Sequence, residues 1–470
     1  MAGKNAITAE LARFAVGVDY RNLPREVTER VKALVLDLTG IIIRARFDAD
    51  PAPALMTTVQ RLGLGGGNCT VLGEPARFAP PAAALINGAL AHSLDFDDTH
   101  APGSIHPSAP IVPAAFAAAE MTGASGKDVI AAIVAGYEIQ IRLSLALVPS
   151  RHYARGFHPT ATCGAFGAAA AAGRIFGLSA HRMESAFGLC GSMAAGSLQF
   201  LDDGAWNKPF HTGYAAMNGL IAATAAAEAY RGAARSIEGR AGFLHAYTSE
   251  AVVENATAAL GEKFETMSIA VKPYPSCRYG HAGIDAILAL RAGHGIDPAE
   301  VASVEVGLSR TGLEIIGKPA AAKQWPRNIV DGQFSMPFVG AVALREGRMS
   351  WDDYRHHLDD PETLALCRRI HTIADPAAQA EYPANMSAIV RIDTNRGRFE
   401  QLVVTPKGEP GNFMSDIELI DKFDLLAGPY LERERRNALS SAVLSLDSAE
   451  RLAELLALTH SSTVTSIHAG

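Results

Sequence analysis

The chain has 470 residues, of which 48% are hydrophobic and 19% are charged, and its formal net charge is −7. This composition is typical of a folded globular protein rather than a disordered one, and the length predicts two domains. The negative balance and the lack of long lysine or arginine runs exclude nucleic acid as an expected partner. No membrane association is expected either, because charged or polar residues interrupt the apolar stretches.

The N-terminal sequence and the cysteines indicate a cellular compartment. Residues 1–14 lack a basic stretch followed by an apolar run, so we expect no secretory signal. The five cysteines are odd in number, widely spaced and without a C-x-x-C pattern. Reduced and mostly buried thiols in a cytoplasmic protein fit this usage best.

The first half of the chain predicts helices. Several stretches combine apolar side chains at helical spacing with good helix formers, and Pro24 suits the first turn of the first of them. Two of these stretches are rich in alanine and glycine, so their axes can approach closely as the central helices of a packed bundle. The predicted helical stretches are 24–38, 80–94, 126–147, 160–177, 179–196 and 211–230.

The composition changes near residue 268. Residues 301–309, 387–395 and 398–406 are rich in β-branched side chains with partial alternation, and TNRGR between the last two predicts a hairpin turn. Helix-like stretches separate them, and amphipathic helices return in the C-terminal tail. We therefore predict a mainly α protein. Its large all-helical domain comprises residues 1–268 and 408–470, and its smaller inserted α+β lid domain comprises residues 269–407.

Residues 91–108 read AHSLDFDDTHAPGSIHPS and concentrate acid–base chemistry directly after a helical stretch. The helix dipole disfavours carboxylates at this end by about 0.3–1 kcal/mol each, so such a run needs cations or hydrogen-bond donors nearby. A solvated turn is one alternative, since these residue types favour turns. A metal site is another, but the spacing of its potential ligands matches no zinc or calcium signature and we expect no metal. Those ligands would be Asp97, Asp98, His100 and His106.

His158 lies immediately before a glycine- and alanine-rich helical stretch. Pro159 suits the first helical position, and Thr160 or Thr162 is a candidate cap. The field at a helix N-terminus lowers the pKa of a histidine, which keeps it neutral and able to act as a base. The alternative is a histidine with a purely structural role.

Cationic side chains recur at helix starts and at the predicted domain junction. Lys208 and His211 begin one predicted helix, and Lys272, Arg278 and His281 lie within ten residues of one another. A solvated basic face is the alternative, but prolines and aromatic residues separate these charges. Acids and cations in this pattern suit a small polyanionic substrate such as a di- or tricarboxylate.

Six motifs in this order resemble the MmgE/PrpD family, whose members are related to 2-methylcitrate dehydratase, cis-aconitate decarboxylase and iminodisuccinate epimerase. Each motif is weak alone, whereas the ordered set, spanning about half of the chain, is specific. The motifs are HSLDFDDTH…HPS (92–108), GYEIQIR (136–142), GFHPTATCGAFG (156–167), NKPFHTGYAA (207–216), KPYPSCRYGHAGID (272–285) and QFSMPFVGA (333–341).

The resemblance implies a large helical domain with an α+β lid, a homodimer, and no metal or organic cofactor. Its decarboxylase branch implies an active-site pattern of Asp, Thr, His, His, Lys, Lys and Tyr. Six of these types are kept here, and a phenylalanine replaces the tyrosine. The positions are Asp95, Thr99, His106, His158, Lys208, Lys272 and Phe338. Arg278, His211, His281 and Phe338 are the expected substrate-binding residues.

We therefore expect a cofactor-independent lyase that abstracts a proton next to a carboxylate. The main hypothesis is a 2-methylcitrate dehydratase-like hydro-lyase, with His158 or Asp95 as the base and protonated His106 assisting departure of the hydroxyl. Lys208, Lys272 and Arg278 would stabilise the developing charge. Decarboxylation or epimerisation on the same site are alternatives, as are a non-catalytic scaffold and a metal-dependent hydrolase.

Overall fold

The computed structural model describes residues 6–202 and 204–460. Its α-helices begin with α1 Ile7–Gly17, α2 Arg25–Asp48, α3 Ala52–Arg61, α4 Pro80–His92, α5 Ser108–Thr122, α6 Gly126–Leu147, α7 Pro149–Ala154, α8 Pro159–Ile175, α9 Ala180–Met193, α10 Asn207–Ala227 and α11 Phe243–Tyr247. They continue with α12 His281–His294, α13 Arg310–Gly312, α14 Ala320–Lys323, α15 Ile329–Gln333, α16 Met336–Glu346, α17 Asp353–His357, α18 Pro361–Cys367, α19 Pro376–Glu381, α20 Asp416–Ala427, α21 Arg433–Leu444 and α22 Leu452–Leu456. The strands are β1 Cys69–Thr70, β2 Arg77–Phe78, β3 Thr99–His100, β4 Ile269–Ala270, β5 Val301–Leu308, β6 Ile370–Ala374, β7 Ala388–Thr394 and β8 Gly397–Val403.

The predicted mainly α class is confirmed, because helices account for most of the described residues. Helix α6 has the predicted bounds and begins with a capping box, in which the Ser125 side chain and the Asp128 carboxylate each accept the other's backbone N–H. Helix α10 begins at Asn207, four residues before the predicted start. This earlier start places Lys208 and His211 in its first turns.

The chain forms two compact units. The larger unit contains residues up to Ala270 together with those from Ser415 onward, and the smaller unit contains Val271–Met414. The acidic stretch 91–108, His158, Lys208 and His211 all belong to the larger unit. Lys272, Arg278, His281 and Phe338 belong to the smaller one.

Helices α4, α5, α6, α8 and α10 pack against one another as the centre of the larger unit. Glycine permits a close crossing between α4 and α10. A Cβ atom on Gly213 would lie 2.1 Å from the Leu85 carbonyl oxygen, and one on Gly88 would lie 2.8 Å from the Gly213 Cα. This close approach brings the end of α4, at His92, near the start of α10.

Helix α6 is long and apolar enough to cross a membrane by length and composition alone, contrary to the sequence expectation that no stretch would be. However, 94% of its most apolar 18-residue window is buried inside the protein. Helices α5 and α8 pack against it. Its hydrophobic surface is therefore the surface of a core helix.

Helix α20, the first helix after the smaller unit, packs against α2, so segments from both ends of the chain contribute to the larger unit. Lys422 on α20 forms a buried ion pair with Asp37 on α2, with 2.5 Å between Nζ and Oδ1. The same ammonium group donates to the Phe96 carbonyl oxygen at 3.2 Å and lies 3.8 Å from the centre of the Phe96 ring. Lys422 thereby connects the acidic loop, through Phe96, to helix α2.

The smaller unit contains a four-stranded sheet with the order β6-β5-β7-β8. Strand β5 is parallel to β6, whereas β5 with β7 and β7 with β8 are antiparallel. The three predicted strands correspond to β5, β7 and β8, and the predicted hairpin turn joins the last two. Helices α12 and α16 pack against each other, and α12 also covers β7 and β8.

Candidate active site

The acidic stretch of the larger unit begins where α4 ends, at His92. The backbone then turns sharply at Asp95, which has a positive φ of 52°. Aspartate is among the few side chains that adopt this left-handed conformation readily. The turn aims the side chains of Asp95, Asp97 and Asp98 at three different partners, so the loop is not the solvated turn considered above.

Asp95 pairs with Lys208 of α10. The Lys208 Nζ lies 2.6 Å from the Asp95 Oδ1, and both side chains are partly exposed. Burial alone would lower the pKa of Lys208, but the neighbouring Asp95 carboxylate outweighs it and the pKa is raised. Lys208 is therefore a fixed positive charge beside the acidic loop.

Asp97 is fully buried and contacts two histidines through one oxygen. Its Oδ2 lies 2.7 Å from the His92 Nδ1 and 3.2 Å from the His106 Nδ1. The two imidazole rings meet edge to face, with 4.4 Å between their centres. Burial opposes the charged form of Asp97, but the two histidines hold its pKa well below the usual range. Asp97 is thus a buried anion between two rings.

His92 is neutral at physiological pH. Burial lowers its pKa to about 4, although the Asp97 carboxylate opposes this shift. Buried side-chain atoms without a hydrogen-bond partner in the described part of the chain include the His92 Nε2, the Asp97 Oδ1 and the Thr99 Oγ1. Buried polar groups are normally satisfied, so a group of such atoms in one loop is typical of a ligand-binding site.

His158 and His211 form a second pair. The two Nδ1 atoms lie 3.4 Å apart, and the centre of the His158 ring lies 6.0 Å from that of His92. Burial, followed by the nearby His92 and Lys208, lowers the pKa of His158 well below its usual value. Burial also lowers the pKa of His211. His158 is therefore a neutral histidine at the start of α8, as the sequence predicted.

The predicted threonine cap of α8 is wrong. His158 itself occupies the capping position, and its side chain makes no cap hydrogen bond. The Thr160 Oγ1 instead accepts the backbone N–H of His106 at 3.2 Å, and Thr162 bonds the His152 Nε2 at 2.9 Å. Thr160 thus ties the backbone of one site histidine to the helix that begins beside the other.

Asp98 has a structural partner. Its carboxyl group accepts the backbone N–H of Ser108 at 3.1 Å and also bonds the Ser108 hydroxyl, which in turn contacts the Tyr137 hydroxyl. Burial raises the pKa of Asp98 to about 7. Asp98 therefore accepts hydrogen bonds from the first turn of α5 and has a structural role.

His100 and Thr99 lie on β3, which pairs with β4. Both ring nitrogens of His100 are occupied, one 3.2 Å from Glu265 and the other accepting the Gly103 N–H at 3.0 Å. Of the four side chains considered as metal ligands, the structure groups only Asp97 and His106, together with His92. The ligand atoms of these three lie within 4.8 Å of one another. A hydrogen bond from His92 to Asp97 and an ion-pair contact between His106 and the same carboxylate account for these distances.

The remaining predicted residues lie in the smaller unit. Lys272 is buried there, and Arg278 forms an ion pair with Glu409. The His281 Nε2 lies 3.2 Å from the Ser276 carbonyl oxygen. Phe338 is fully buried on α16 and stacks on Tyr354, with 5.8 Å between ring centres.

The larger unit therefore brings together predicted side chains from three separate stretches: Asp95, His106, His158, Lys208 and His211. Thr99 lies in the same acidic stretch, and its hydroxyl group has no hydrogen-bond partner in the described part of the chain. Sequence reasoning missed His92 as a site residue and considered Asp97 only as a metal ligand. The available signal was their position in the same acidic stretch, five residues apart across the end of a helix. Only the turn at Asp95 makes them neighbours.

Comparison with known proteins identifies the family of the chain. The MmgE/PrpD N-terminal domain matches residues 9–255, and the MmgE/PrpD C-terminal domain matches residues 274–448. The cis-aconitate decarboxylase-like protein oryM of Aspergillus oryzae is 28% identical over 96% of this chain and 97% of its own length. A cis-aconitate decarboxylase of Aspergillus terreus is 28% identical over 97% of this chain and 96% of its own length. The cis-aconitate decarboxylase of Homo sapiens is 26% identical over 80% of this chain and 77% of its own length. The two domain matches together span most of the sequence, and the chain belongs to the MmgE/PrpD family.

Proposed function

We propose that this protein is a lyase that decarboxylates a small unsaturated tricarboxylate of the cis-aconitate type. The observation that carries the proposal is the cluster in the larger unit, where Lys208 pairs with Asp95, two histidines contact the buried Asp97, and His158 lies beside one of those two rings. The two Aspergillus relatives named above, a cis-aconitate decarboxylase and a cis-aconitate decarboxylase-like protein, match nearly the full chain. They favour this reaction over the dehydration that the sequence placed first.

The reaction needs one proton and no external oxidant. The bond between a carbon and its carboxylate breaks, carbon dioxide leaves, and the electron pair spreads onto the conjugated carboxylate. A proton then forms a new C–H bond, so that a trianion and one proton give carbon dioxide and an unsaturated dicarboxylate. The side chains must therefore bind a carboxylate, stabilise the spread charge and donate one proton.

Three groups fit these tasks. Lys208 supplies a positive charge for a substrate carboxylate, a contribution often worth several kcal/mol where water is excluded. His106 donates the proton, and the Asp97 carboxylate offsets the positive charge that the ring carries before transfer. His158, kept neutral by burial, donates or accepts a hydrogen bond at the reacting carboxylate.

Dehydration of a 2-methylcitrate-type substrate is the second candidate, and one observation favours it. Phe338 stands where the decarboxylase pattern that the sequence resembles has a tyrosine, so a hydroxyl group is missing. In that reaction His158 would remove the proton next to a carboxylate and protonated His106 would assist departure of the hydroxyl. The same charges serve both reactions because each builds negative charge on a carboxylate.

The deciding experiment incubates the purified protein separately with cis-aconitate and with the stereoisomers of 2-methylcitrate. Carbon dioxide release and proton NMR of the products distinguish loss of a carboxylate from loss of water. We expect carbon dioxide from cis-aconitate, lost in His158→Asn and kept in a control variant at the exposed His245. Water loss from 2-methylcitrate alone would establish the second candidate, and inactivity with both substrates would overturn the proposal.

A further inference from the structure

Asp97 has an unusual relation to the two histidines that it contacts. Both reach it through Nδ1, and both reach the same carboxylate oxygen, at 2.7 Å for His92 and 3.2 Å for His106. The second carboxylate oxygen is buried without a hydrogen-bond partner in the described part of the chain. The two rings are therefore organised by one acceptor atom.

An ionised carboxylate only accepts hydrogen bonds, so the His92 Nδ1 that bonds Asp97 must carry a proton. The His106 Nδ1 forms no hydrogen bond in the described part of the chain, but it lies 3.2 Å from the same anionic oxygen, and this negative charge favours a proton on Nδ1 in that ring as well. In a neutral imidazole this leaves Nε2 without a proton, because the ring carries only one. The His106 Nδ1 is buried, whereas about 16% of the side chain is exposed. The exposed surface consequently belongs to the rest of the ring, where Nε2 lies.

The backbone of His106 is fixed as well. Its N–H donates to the Thr160 Oγ1 at 3.2 Å, and the edge-to-face contact with His92 limits rotation of the ring. Lys422 donates a hydrogen bond to the Phe96 carbonyl oxygen, one residue before Asp97, and so fixes this part of the loop. The carboxylate and the ring it orients are thus both held in place.

We propose that Asp97 is a positioning residue that holds His106 in the Nδ1–H tautomer and aims its Nε2 at the substrate, with His92 as a second ring on the same carboxylate. This inference rests on the function proposed above for the reaction that His106 serves. His106 gives its proton from Nε2 and keeps the proton on Nδ1, so it returns to the neutral Nδ1–H form after each transfer. Asp97 touches no reacting atom.

The first test needs no substrate. Protein labelled with ¹⁵N in its histidine side chains reports by long-range ¹H–¹⁵N NMR which ring nitrogen carries the proton, with signals assigned from single histidine variants. We expect Nδ1–H tautomers for neutral His92 and His106. Nε2–H tautomers at both rings, or stoichiometric bound zinc that depends on Asp97, would overturn the proposal.

The second test is kinetic and uses two matched variants. Asp97→Asn replaces the anion by a weaker neutral acceptor. We expect kcat to fall on the order of 10²–10⁴-fold with KM changed less than about threefold. Asp98→Asn makes the same change at the adjacent buried carboxyl group, which bonds Ser108, and is expected to keep the tautomers and most of the activity. A rise in KM with kcat unchanged in Asp97→Asn would contradict a positioning role.

The two proposals fail in different ways. If no carboxylate substrate reacts, the proposed function is wrong, but the NMR spectrum of the wild-type protein still reports the tautomers. If the substrate reacts and the tautomers are Nε2–H, the function stands and Asp97 has another role. Loss of folding in Asp97→Asn leaves the wild-type spectrum as the decisive measurement.

Discussion

Asp95, Asp97 and Asp98 lie within four residues, yet each carboxyl group has a different partner. Asp95 faces the Lys208 ammonium group, Asp97 lies between two imidazoles, and Asp98 bonds the first turn of α5. The two imidazoles hold the pKa of Asp97 well below its usual range, whereas burial raises the pKa of Asp98 to about 7. The spatial neighbours of each aspartate, rather than its residue type, therefore decide whether its carboxyl group can take part in catalysis.

Replacing Lys208 by methionine tests its role as a substrate ligand. Lys208→Met removes a positive charge from the proposed carboxylate site and breaks the ion pair with the Asp95 carboxylate. We expect kcat/KM for the reacting tricarboxylate to fall about 10²–10³-fold. Lys318→Met, which removes an exposed lysine from a surface pair with Glu314, is the control and should react like the wild type. Equal activity of both variants would exclude Lys208 from the site.

His158 predicts a pH dependence of stability. Burial, with His92 and Lys208 nearby, lowers the folded-state pKa of His158, so the ring gains a proton mainly after unfolding. As the pH falls below the ordinary histidine pKa of about 6.5, the contribution of His158 should lower the free energy of unfolding by about 1.4 kcal/mol per pH unit. This loss should continue until the folded-state pKa of His158 is reached. The wild type should therefore lose stability relative to His158→Asn upon acidification.

Urea unfolding between pH 7.5 and 4.5 measures this difference. His245→Asn, at an exposed position, serves as the control and should follow the wild-type curve. The comparison of variants is needed because Asp98 acts in the opposite direction. Its folded-state pKa is raised, so its protonation increases the free energy of unfolding as the pH falls over part of the same range. Parallel curves for the wild type and His158→Asn would show that His158 is not held neutral.

At the scale of elements, the site depends on how closely two helices approach. Helix α4 ends at His92 and α10 begins with Lys208 and His211, and the two helices cross where glycines face each other. A larger side chain at the crossing would separate the ends that carry the reactive groups. Small residues in these helices therefore serve the geometry of the site as well as the packing of the core.

Gly213→Ala tests this crossing. The new Cβ would lie 2.1 Å from the Leu85 carbonyl oxygen, so the α10 backbone must shift. We expect a net loss of about 1–3 kcal/mol from overpacking, despite a helix-propensity gain of about 1 kcal/mol. Gly293→Ala on α12 has open space around its Cβ and should gain up to about 1 kcal/mol. Thermal and urea unfolding of both variants check the opposite signs, and a stabilised Gly213→Ala would contradict the packing argument.

At the scale of the whole molecule, residues far apart in the chain close the larger unit. Helix α20 returns after the smaller unit and packs against α2 near the N-terminus. Asp37 and Lys422 join the two helices inside the protein, and Lys422 also reaches the loop between Asp95 and Asp97. The stability of the site loop is therefore coupled to the C-terminal segment.

Lys422→Met should reveal this coupling. Burial raises the pKa of Asp37 and Lys422 opposes that shift, so removing the lysine leaves an uncompensated buried carboxyl group. Breaking a buried pair in this way costs about 3–5 kcal/mol. The double variant Asp37→Asn/Lys422→Met should recover part of that loss, which a double-mutant cycle of unfolding free energies measures. Additive effects of the two single variants would show that the pair is not coupled.

Much of the secondary structure could be predicted because helical and strand periodicities are local. The bounds of α6 and the three strands β5, β7 and β8 follow from hydrophobic spacing and β-branched content. The threonine cap of α8 could not be predicted, because Thr160 and Thr162 have partners more than nine residues away. Tertiary competition for a hydroxyl group is invisible to local patterns.

The sequence by itself determined the residue types of the site, the mainly α class and the family, since these depend on local pattern and ordered motifs. Only the tertiary structure decided which carboxyl group faces which base. His92 and Asp97 are five residues apart, and the turn at Asp95 makes them neighbours, while His106 and His158 reach them from other segments. Burial then lowers the pKa values of His92 and His158. Such electrostatic effects depend on distances and on exclusion of water, and neither is encoded at a single position.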